Sequence, residues 1–195
     1  MASCKVSLFC YPDAPVRPLL AAWSASADPV ICFVPQGVAT EAIEAHAGFV
    51  SDNNVEIRVF RTGALTLIVI PFMSQDQYDR LLWACDVNFV RGEDSFVRAQ
   101  LAGKTMVWQI YPQEQDAHLD KLQAFMRQYE VGMPEHLLAS YRNFWLAWNG
   151  QGEPDWFLLN ENLSLLHYFA QGWSHQLFKK NSLAQSLCQF IQKIS

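Results

Sequence analysis

The sequence predicts an α/β fold, with a mainly parallel sheet covered by helices on both faces and a helical C-terminal tail. Three observations carry this expectation. Short apolar runs alternate with amphipathic segments as far as residue 112. Several of those runs are apolar nearly throughout, as in strands covered on both faces. From residue 113 the strand-like runs stop and helical patterns follow. Alternation of the first kind builds βαβ units and a parallel sheet.

The elements follow in order. Residues 6–11 read as a first strand, then a Pro-punctuated turn and a helix near 18–26. Residues 30–34 are the next strand and 39–47 the next helix. The runs 55–60 and 65–70 are β-branched and flank Arg61-Thr62-Gly63-Ala64, a hairpin signal. Residues 75–83 are helical, 86–90 a strand, 95–102 a helix and 106–111 the last strand. The tail holds helices at 114–129, 134–148, 156–170 and 183–194. Pro134 stands at a helix start, where its missing N–H costs nothing. Asn149-Gly150-Gln151-Gly152 is a break. Without repeats or a long linker, residues 1–195 are expected to form one domain. The tail's large apolar residues, among them Trp156, Phe157, Leu165 and Phe169, suit either of two roles. They cover the sheet's own helices, or they pack on a neighbouring domain.

Composition limits the function. A chain of 195 residues buries about 70% of its unfolded surface and needs no staples. The net charge of −5, from 14 Lys+Arg against 19 Asp+Glu, disfavours nucleic acid and anionic membrane as partners. The five cysteines form no CxxC pair, and Cys10, Cys32 and Cys85 lie in or beside apolar runs. They read as buried free thiols of a reducing compartment. None of the five histidines has zinc-ligand spacing to another His or Cys. No apolar run approaches the length of a membrane span, and the N-terminus carries no signal-peptide pattern. A cytoplasmic location is the expectation.

Open α/β sheets bind ligands beyond the carboxyl ends of their strands, so those ends are the places to look. They bring together Phe9, Tyr11, Phe72, Gln75, the segment Arg91-Gly92-Glu93-Asp94-Ser95, and Tyr111. In that segment a strand meets a Gly-containing turn and a helix begins. The free N–H groups of a helix's first turn make an anion site. Gly92 permits close backbone approach, and Ser95 adds a hydroxyl. The acids fit such a site if their amides face the anion and their carboxylates face away, toward sugar hydroxyls. The plainer alternative is acids complementing the helix dipole. Phe9, Tyr11 and Phe72 either stack on a flat base or pack in the core. Gln75 reads a base edge or starts a helix. Tyr111 reaches a phosphate or is satisfied locally. Arg91 is the loop's one cation, and Glu93 the one carboxylate with a plausible role at a reacting sugar.

The run Asp86-Val87-Asn88-Phe89-Val90-Arg91-Gly92-Glu93-Asp94-Ser95, continuing through Gln100, is followed by Ala102-Gly103-Lys104 and by Val107-Trp108-Gln109-Ile110-Tyr111-Pro112-Gln113. These segments resemble the signature of the elongation factor P arginine rhamnosyltransferases. Residues 6–11 and the spacing to Pro71-Phe72 resemble that family too. The resemblance covers essentially the whole chain. It implies the C-terminal, nucleotide-sugar-binding half of a GT-B enzyme built of two Rossmann-like halves. The implied reaction moves L-rhamnose from dTDP-β-L-rhamnose to an arginine of elongation factor P, with inversion and without a metal or other cofactor. The resemblance puts Phe9, Tyr11, Phe72 and Gln75 around thymidine, and Glu93, Asp94, Ser95 and Tyr111 around the ribose, diphosphate and rhamnose. Loss of Glu93 is implied to hurt turnover most. The family's N-terminal motif of the type Asp-Asn-Phe-Gly-Asp, expected to carry the general base, does not occur in this sequence. The chain is therefore expected to bind donor and to transfer little by itself. The other readings are a docking module without enzymatic role and a different sugar-nucleotide enzyme, such as one using UDP.

Overall fold

The computed structural model describes residues 3–47, 57–113, 116–179, 187 and 191–192. Six strands form one sheet: β1 (Cys4–Leu8), β2 (Val30–Pro35), β3 (Arg58–Thr62), β4 (Leu65–Ile70), β5 (Val87–Arg91) and β6 (Thr105–Gln109). Their order is β3-β4-β2-β1-β5-β6. Only β3 runs antiparallel, paired with β4 from Arg58 opposite Val69 to Thr62 opposite Leu65. The expected hairpin is present, with Gly63-Ala64 as its turn. The expected start of its first strand, residues 55–56, lies outside the described residues.

Eight helices are described: α1 (Val16–Ser24), α2 (Thr40–Ala47), α3 (Gln75–Ala84), α4 (Asp94–Ala102), α5 (Ala117–Tyr129), α6 (Glu135–Trp148), α7 (Trp156–Glu161) and α8 (Leu163–Lys179). The crossovers from β1 to β2 and from β2 to β4 carry α1 and α2. Those from β4 to β5 and from β5 to β6 carry α3 and α4. Because βαβ crossovers are right-handed, the reversal of direction at β1 puts the two pairs on opposite faces. The tail completes both layers. On the first face Phe89 meets Trp23 of α1 and Phe144 and Trp148 of α6, and Trp23 meets Trp156 of α7. On the second, Phe96 of α4 stacks on Trp108 at 3.9 Å, with Phe125 of α5 edge-on to both. The α8 helix hangs on the end of α4: Ser174 Oγ donates to the Leu101 carbonyl at 2.9 Å and Trp173 Nε1 to Gln100 Oε1 at 3.0 Å.

Several element ends differ from expectation. The first strand stops at Leu8 rather than residue 11, because the Tyr11 amide leaves the ladder to donate to Gln109 Oε1 at 2.7 Å. The α1 helix begins at Val16, two residues before Pro18, which a first turn accommodates since its N–H would be unpaired there. The expected helix 156–170 is two. Asn162 closes α7 by donating to the Leu158 carbonyl at 2.8 Å, and its own carbonyl receives the Leu165 and Leu166 amides that open α8. The α8 helix then runs past residue 170 to Lys179. The expected helix 183–194 lies outside the described residues, apart from Leu187, Ile191 and Gln192. The tail's apolar residues divide between the two faces of its helices. Trp156, Leu159, Leu166 and Ala170 are buried, while Phe157, Leu158, Leu165 and Tyr168 are exposed.

Cys10, Cys32 and Cys85 are buried free thiols, and Cys4 is half-buried. Burial pushes Cys4, Cys10 and Cys85 up to about 12, so they stay protonated and unreactive. Among the described residues, no helix is long and apolar enough to cross a membrane.

The hairpin turn is the tightest backbone constraint. Gly63 has φ +57°, and a Cβ placed there would sit 2.1 Å from the Ser24 carbonyl oxygen at the end of α1. That carbonyl also accepts the Ala64 amide at 3.0 Å. Gly63→Ala should therefore cost about 2–5 kcal/mol, the sum of a left-handed penalty and an overpacking penalty. Gly63→Asn, which tolerates the dihedral but not the clash, should fare no better. Denaturant unfolding of both variants checks this.

Candidate functional site

The site forms where the order of crossovers reverses, beyond the carboxyl ends of β1 and β5, the place where such sheets bind ligands. A cavity of about 360 Å³ lies there, within the range of small-molecule sites. Its aromatic wall is Phe9, Tyr11, Phe72 and Tyr78, and its polar end is Arg91, Glu93, Asp94 and Ser95. Pro35, Met73 and Gln75 complete it. A second hollow of about 490 Å³ adjoins it over the starts of α1 and α2, sharing Tyr11 and Arg91.

Each wall has a local cause. Phe72 and Met73 precede a capping box, in which Ser74 Oγ accepts the Gln77 amide at 3.4 Å and Gln77 Oε1 accepts the Ser74 amide at 2.9 Å. The box directs the chain into α3, puts Gln75 first in that helix, and brings Tyr78 one turn later onto the cavity wall. Phe72 is 76% exposed and belongs to the cavity mouth, not to the core.

The Arg91 guanidinium lies 4.2 Å over the Phe9 ring and 4.9 Å from that of Tyr11. It donates to the Cys10 carbonyl at 2.9 Å. Among the described residues it has no ion-pair partner. Gly92, at φ +62°, backs the cavity without lining it; a Cβ there would meet the Tyr11 hydroxyl at 3.1 Å. Its carbonyl accepts Trp108 Nε1 at 2.7 Å.

Glu93 stands at the cap position of α4, yet its side chain makes no capping bond. Its carboxylate has no ion-pair partner among the described residues and lines the cavity. Asp94 does not share this freedom, for its carboxylate accepts Arg98 Nε at 2.9 Å while Arg98 also binds Asp79 of α3. The first bond of α4 runs from the Val97 amide to the Glu93 carbonyl at 3.0 Å. The amides of Asp94, Ser95 and Phe96 therefore precede the helical ladder, the arrangement of an anion site. The Ser95 hydroxyl is buried and turned to the backbone: it donates to the Arg91 carbonyl and accepts the Arg91 amide at 3.2 Å.

The structure thus gathers Phe9, Tyr11, Phe72, Gln75, Arg91, Glu93, Asp94 and Ser95 around one cavity. Tyr111 is apart from its lining, 64% exposed and edge-on to Tyr11 at 5.7 Å. Sequence reading missed Met73 and Tyr78. It also missed what Trp108 and Gln109 do, although both lie in the quoted signature. Trp108 holds the β5–α4 turn, while Gln109 holds the Tyr11 amide and donates to Asp13 Oδ1 at 3.1 Å. Among the described residues no group of three or more His, Cys, Asp or Glu could hold a metal ion.

Fold and site define the class: a Rossmann-like α/β domain with a ligand-sized, aromatic-walled cavity at its switch point and a helix N-terminus at one end. The chain belongs to the elongation factor P (EF-P) rhamnosyltransferase family, EarP, whose family model matches residues 1–192. It is 41% identical over 189 residues to the protein-arginine rhamnosyltransferase of Pseudomonas aeruginosa, covering 95% of this chain and 49% of that protein. With the Shewanella oneidensis protein-arginine rhamnosyltransferase it shares 35% over 196 residues, covering 96% of this chain and 49% of that protein. A solved structure described as the structural basis for EarP-mediated arginine glycosylation of translation elongation factor EF-P matches with a TM-score of 0.82 and 35% identity. That match covers 98% of this chain and 61% of the other. The chain spans about half the length of the curated relatives it matches.

Proposed function

We propose that this chain is the donor-binding, C-terminal half of an inverting GT-B protein-arginine rhamnosyltransferase, taking dTDP-β-L-rhamnose as donor and an arginine of elongation factor P as acceptor. The observation that carries the reading is the cavity: aromatic rings at one end and, at the other, the unladdered amides of α4 beside an arginine without an ion-pair partner among the described residues, in a member of this family. In this reading Phe9 and Phe72 line the thymine end of the cavity, with Gln75 at the base edge. The diphosphate lies at the start of α4, where amide N–H groups and the Arg91 guanidinium meet its charge.

The chemistry follows from that placement. Transfer breaks the bond between the anomeric carbon and the diphosphate oxygen, and negative charge grows on the departing dTDP. Fixed amides and a guanidinium aimed at that oxygen stabilise the growing charge without reorganising, the largest common source of catalysis. No metal is required in this scheme. The arginine nitrogen attacks the opposite face, which inverts the anomeric centre. Its proton goes to a base outside this chain, in the N-terminal half carrying the aspartate motif. A missing base costs on the order of 10²–10⁴ in rate. The isolated chain should therefore bind donor and transfer almost none of it. A cytoplasmic setting matches protonated, unpaired thiols and a translation factor as acceptor.

Calorimetric titration with dTDP-β-L-rhamnose, dTDP and UDP tests this. The thymidine nucleotides should bind, and UDP should bind at least tenfold more weakly, since the pocket is read as shaped for the thymine methyl and a deoxyribose. Equal binding of UDP would point to a different sugar-nucleotide enzyme. No nucleotide binding by the folded chain would sink the proposal that it forms the donor site by itself.

A further inference from the structure

Five buried side-chain polar atoms have no hydrogen-bond partner among the described residues: Trp23 Nε1, Tyr78 Oη, Thr105 Oγ1, Trp148 Nε1 and Trp156 Nε1. Of these residues only Tyr78 lines a described cavity, and it is the one proposed for the donor. A buried hydroxyl without a partner carries a desolvation penalty that a native fold rarely leaves unanswered. The hydroxyl is next to the Ser95 side chain. It makes no bond of good geometry there: Ser95 Oγ donates to the Arg91 carbonyl and accepts the Arg91 amide, and its second acceptor site is not used by Tyr78. Two facts thus sit side by side at the anion end of the cavity. One is an orphaned donor. The other is a serine whose own donor is aimed at backbone instead of at the ligand.

We infer that Tyr78 is a positioning residue for Ser95: when a nucleoside diphosphate enters, Ser95 Oγ rotates from the Arg91 carbonyl to a phosphate oxygen, and Tyr78 Oη donates to the rotated Oγ. The inference rests on the donor-site reading above. The strength of the bonds, not their number, favours the switch. Before it, Ser95 Oγ–H serves a carbonyl and Tyr78 Oη–H serves nothing. After it, Ser95 Oγ–H serves an anion, a stronger acceptor, and Tyr78 Oη–H has a partner. The Arg91 carbonyl and the Arg91 amide each give up their bond to Ser95 Oγ in exchange. The motion is a single χ1 step between staggered wells of a small side chain. Burial holds the Tyr78 hydroxyl protonated at neutral pH, so its O–H is present to donate. Its ring stays fixed throughout, edge-on to Phe9 with centroids 6.0 Å apart.

The test is a double-mutant cycle of dTDP affinity on this chain, with wild type, Tyr78→Phe, Ser95→Ala and the double variant. Tyr78→Phe should weaken dTDP about fivefold to tenfold, the worth of one hydrogen bond. Ser95→Ala should weaken it about tenfold to thirtyfold, the worth of one bond to a charge. The double variant should bind like Ser95→Ala alone, because Tyr78 acts through Ser95. The melting temperature of ligand-free Tyr78→Phe should equal or exceed that of wild type, since an unpaired buried hydroxyl has been removed. Additive losses, unchanged affinity in Tyr78→Phe, or a lower melting temperature for it would each overturn the coupling while leaving the donor site standing. A folded wild-type chain that takes up no dTDP would overturn both.

Discussion

Replacing Arg91 with Ala should weaken dTDP binding by about a hundredfold, roughly 2.7 kcal/mol. Three contributions are lost together. The guanidinium leaves the rings of Phe9 and Tyr11, contacts worth ~0.5–2 kcal/mol when partly desolvated. The Cys10 carbonyl loses a charged donor worth about 1.5–3 kcal/mol. The diphosphate loses a cation that has no acidic partner among the described residues. These do not add fully, because loosened rings repack. Arg91→Lys should recover less than a third of the lost binding energy, since a compact ammonium cannot lie flat against two rings. Calorimetry with dTDP, with thermal melts as a control for folding, checks both variants. An Arg91→Ala chain that binds within threefold of wild type would reduce Arg91 to a loop residue.

Glu93→Gln should leave dTDP affinity unchanged or slightly tighter and cut rhamnosyl transfer by about 10²–10³. Affinity holds because a carboxylate near a diphosphate repels it, and the amide removes that repulsion without changing shape. Transfer falls because the anomeric carbon gains positive charge as the diphosphate departs, and a fixed carboxylate nearby stabilises it only at that moment. Interactions confined to the transition state appear in kcat, not in binding. The side chain is available for this, since it neither caps α4 nor pairs with a cation among the described residues. The assay is transfer to elongation factor P by a polypeptide with the full length of the curated relatives. A kcat within threefold of wild type would remove Glu93 from the chemistry and leave it as a residue of the site's rim.

Asp94 and Glu93 show what sequence could and could not resolve at this site. Both were legible as acids at a helix start, but the engagement of the Asp94 carboxylate was not. Arg98, four residues on, captures it while also reaching Asp79 of α3. Asp79 is remote in sequence, so no local pattern separates the engaged acid from the available one. Ser95 is a similar case. Its place in the first turn of α4 was foreseeable, but the choice of its hydroxyl for the Arg91 carbonyl is made by rotamer and burial. Tyr78 went unseen because an amphipathic helix buries one face by default, and only the packed structure shows that its hydroxyl ends at a cavity wall without a hydrogen-bond partner among the described residues.

The sequence by itself determined the alternation of strands and helices, the hairpin, and the loop after β5 as the centre of interest. Those features depend on side-chain period, β-branched runs and the backbone demands of glycine, all written in neighbouring residues. Only the tertiary structure decided that β1 ends at Leu8, that Trp108 and Gln109 grip the two site loops from the next strand, and that Arg91 lies against two rings. Each of these depends on a partner about 80 to 100 residues away for β1 and Arg91, or on the register of β6 beside β5. A hydrogen bond or ring contact of that kind forms only after the sheet order exists. The order is set by burial of both faces and by the handedness of crossovers, which no single segment contains.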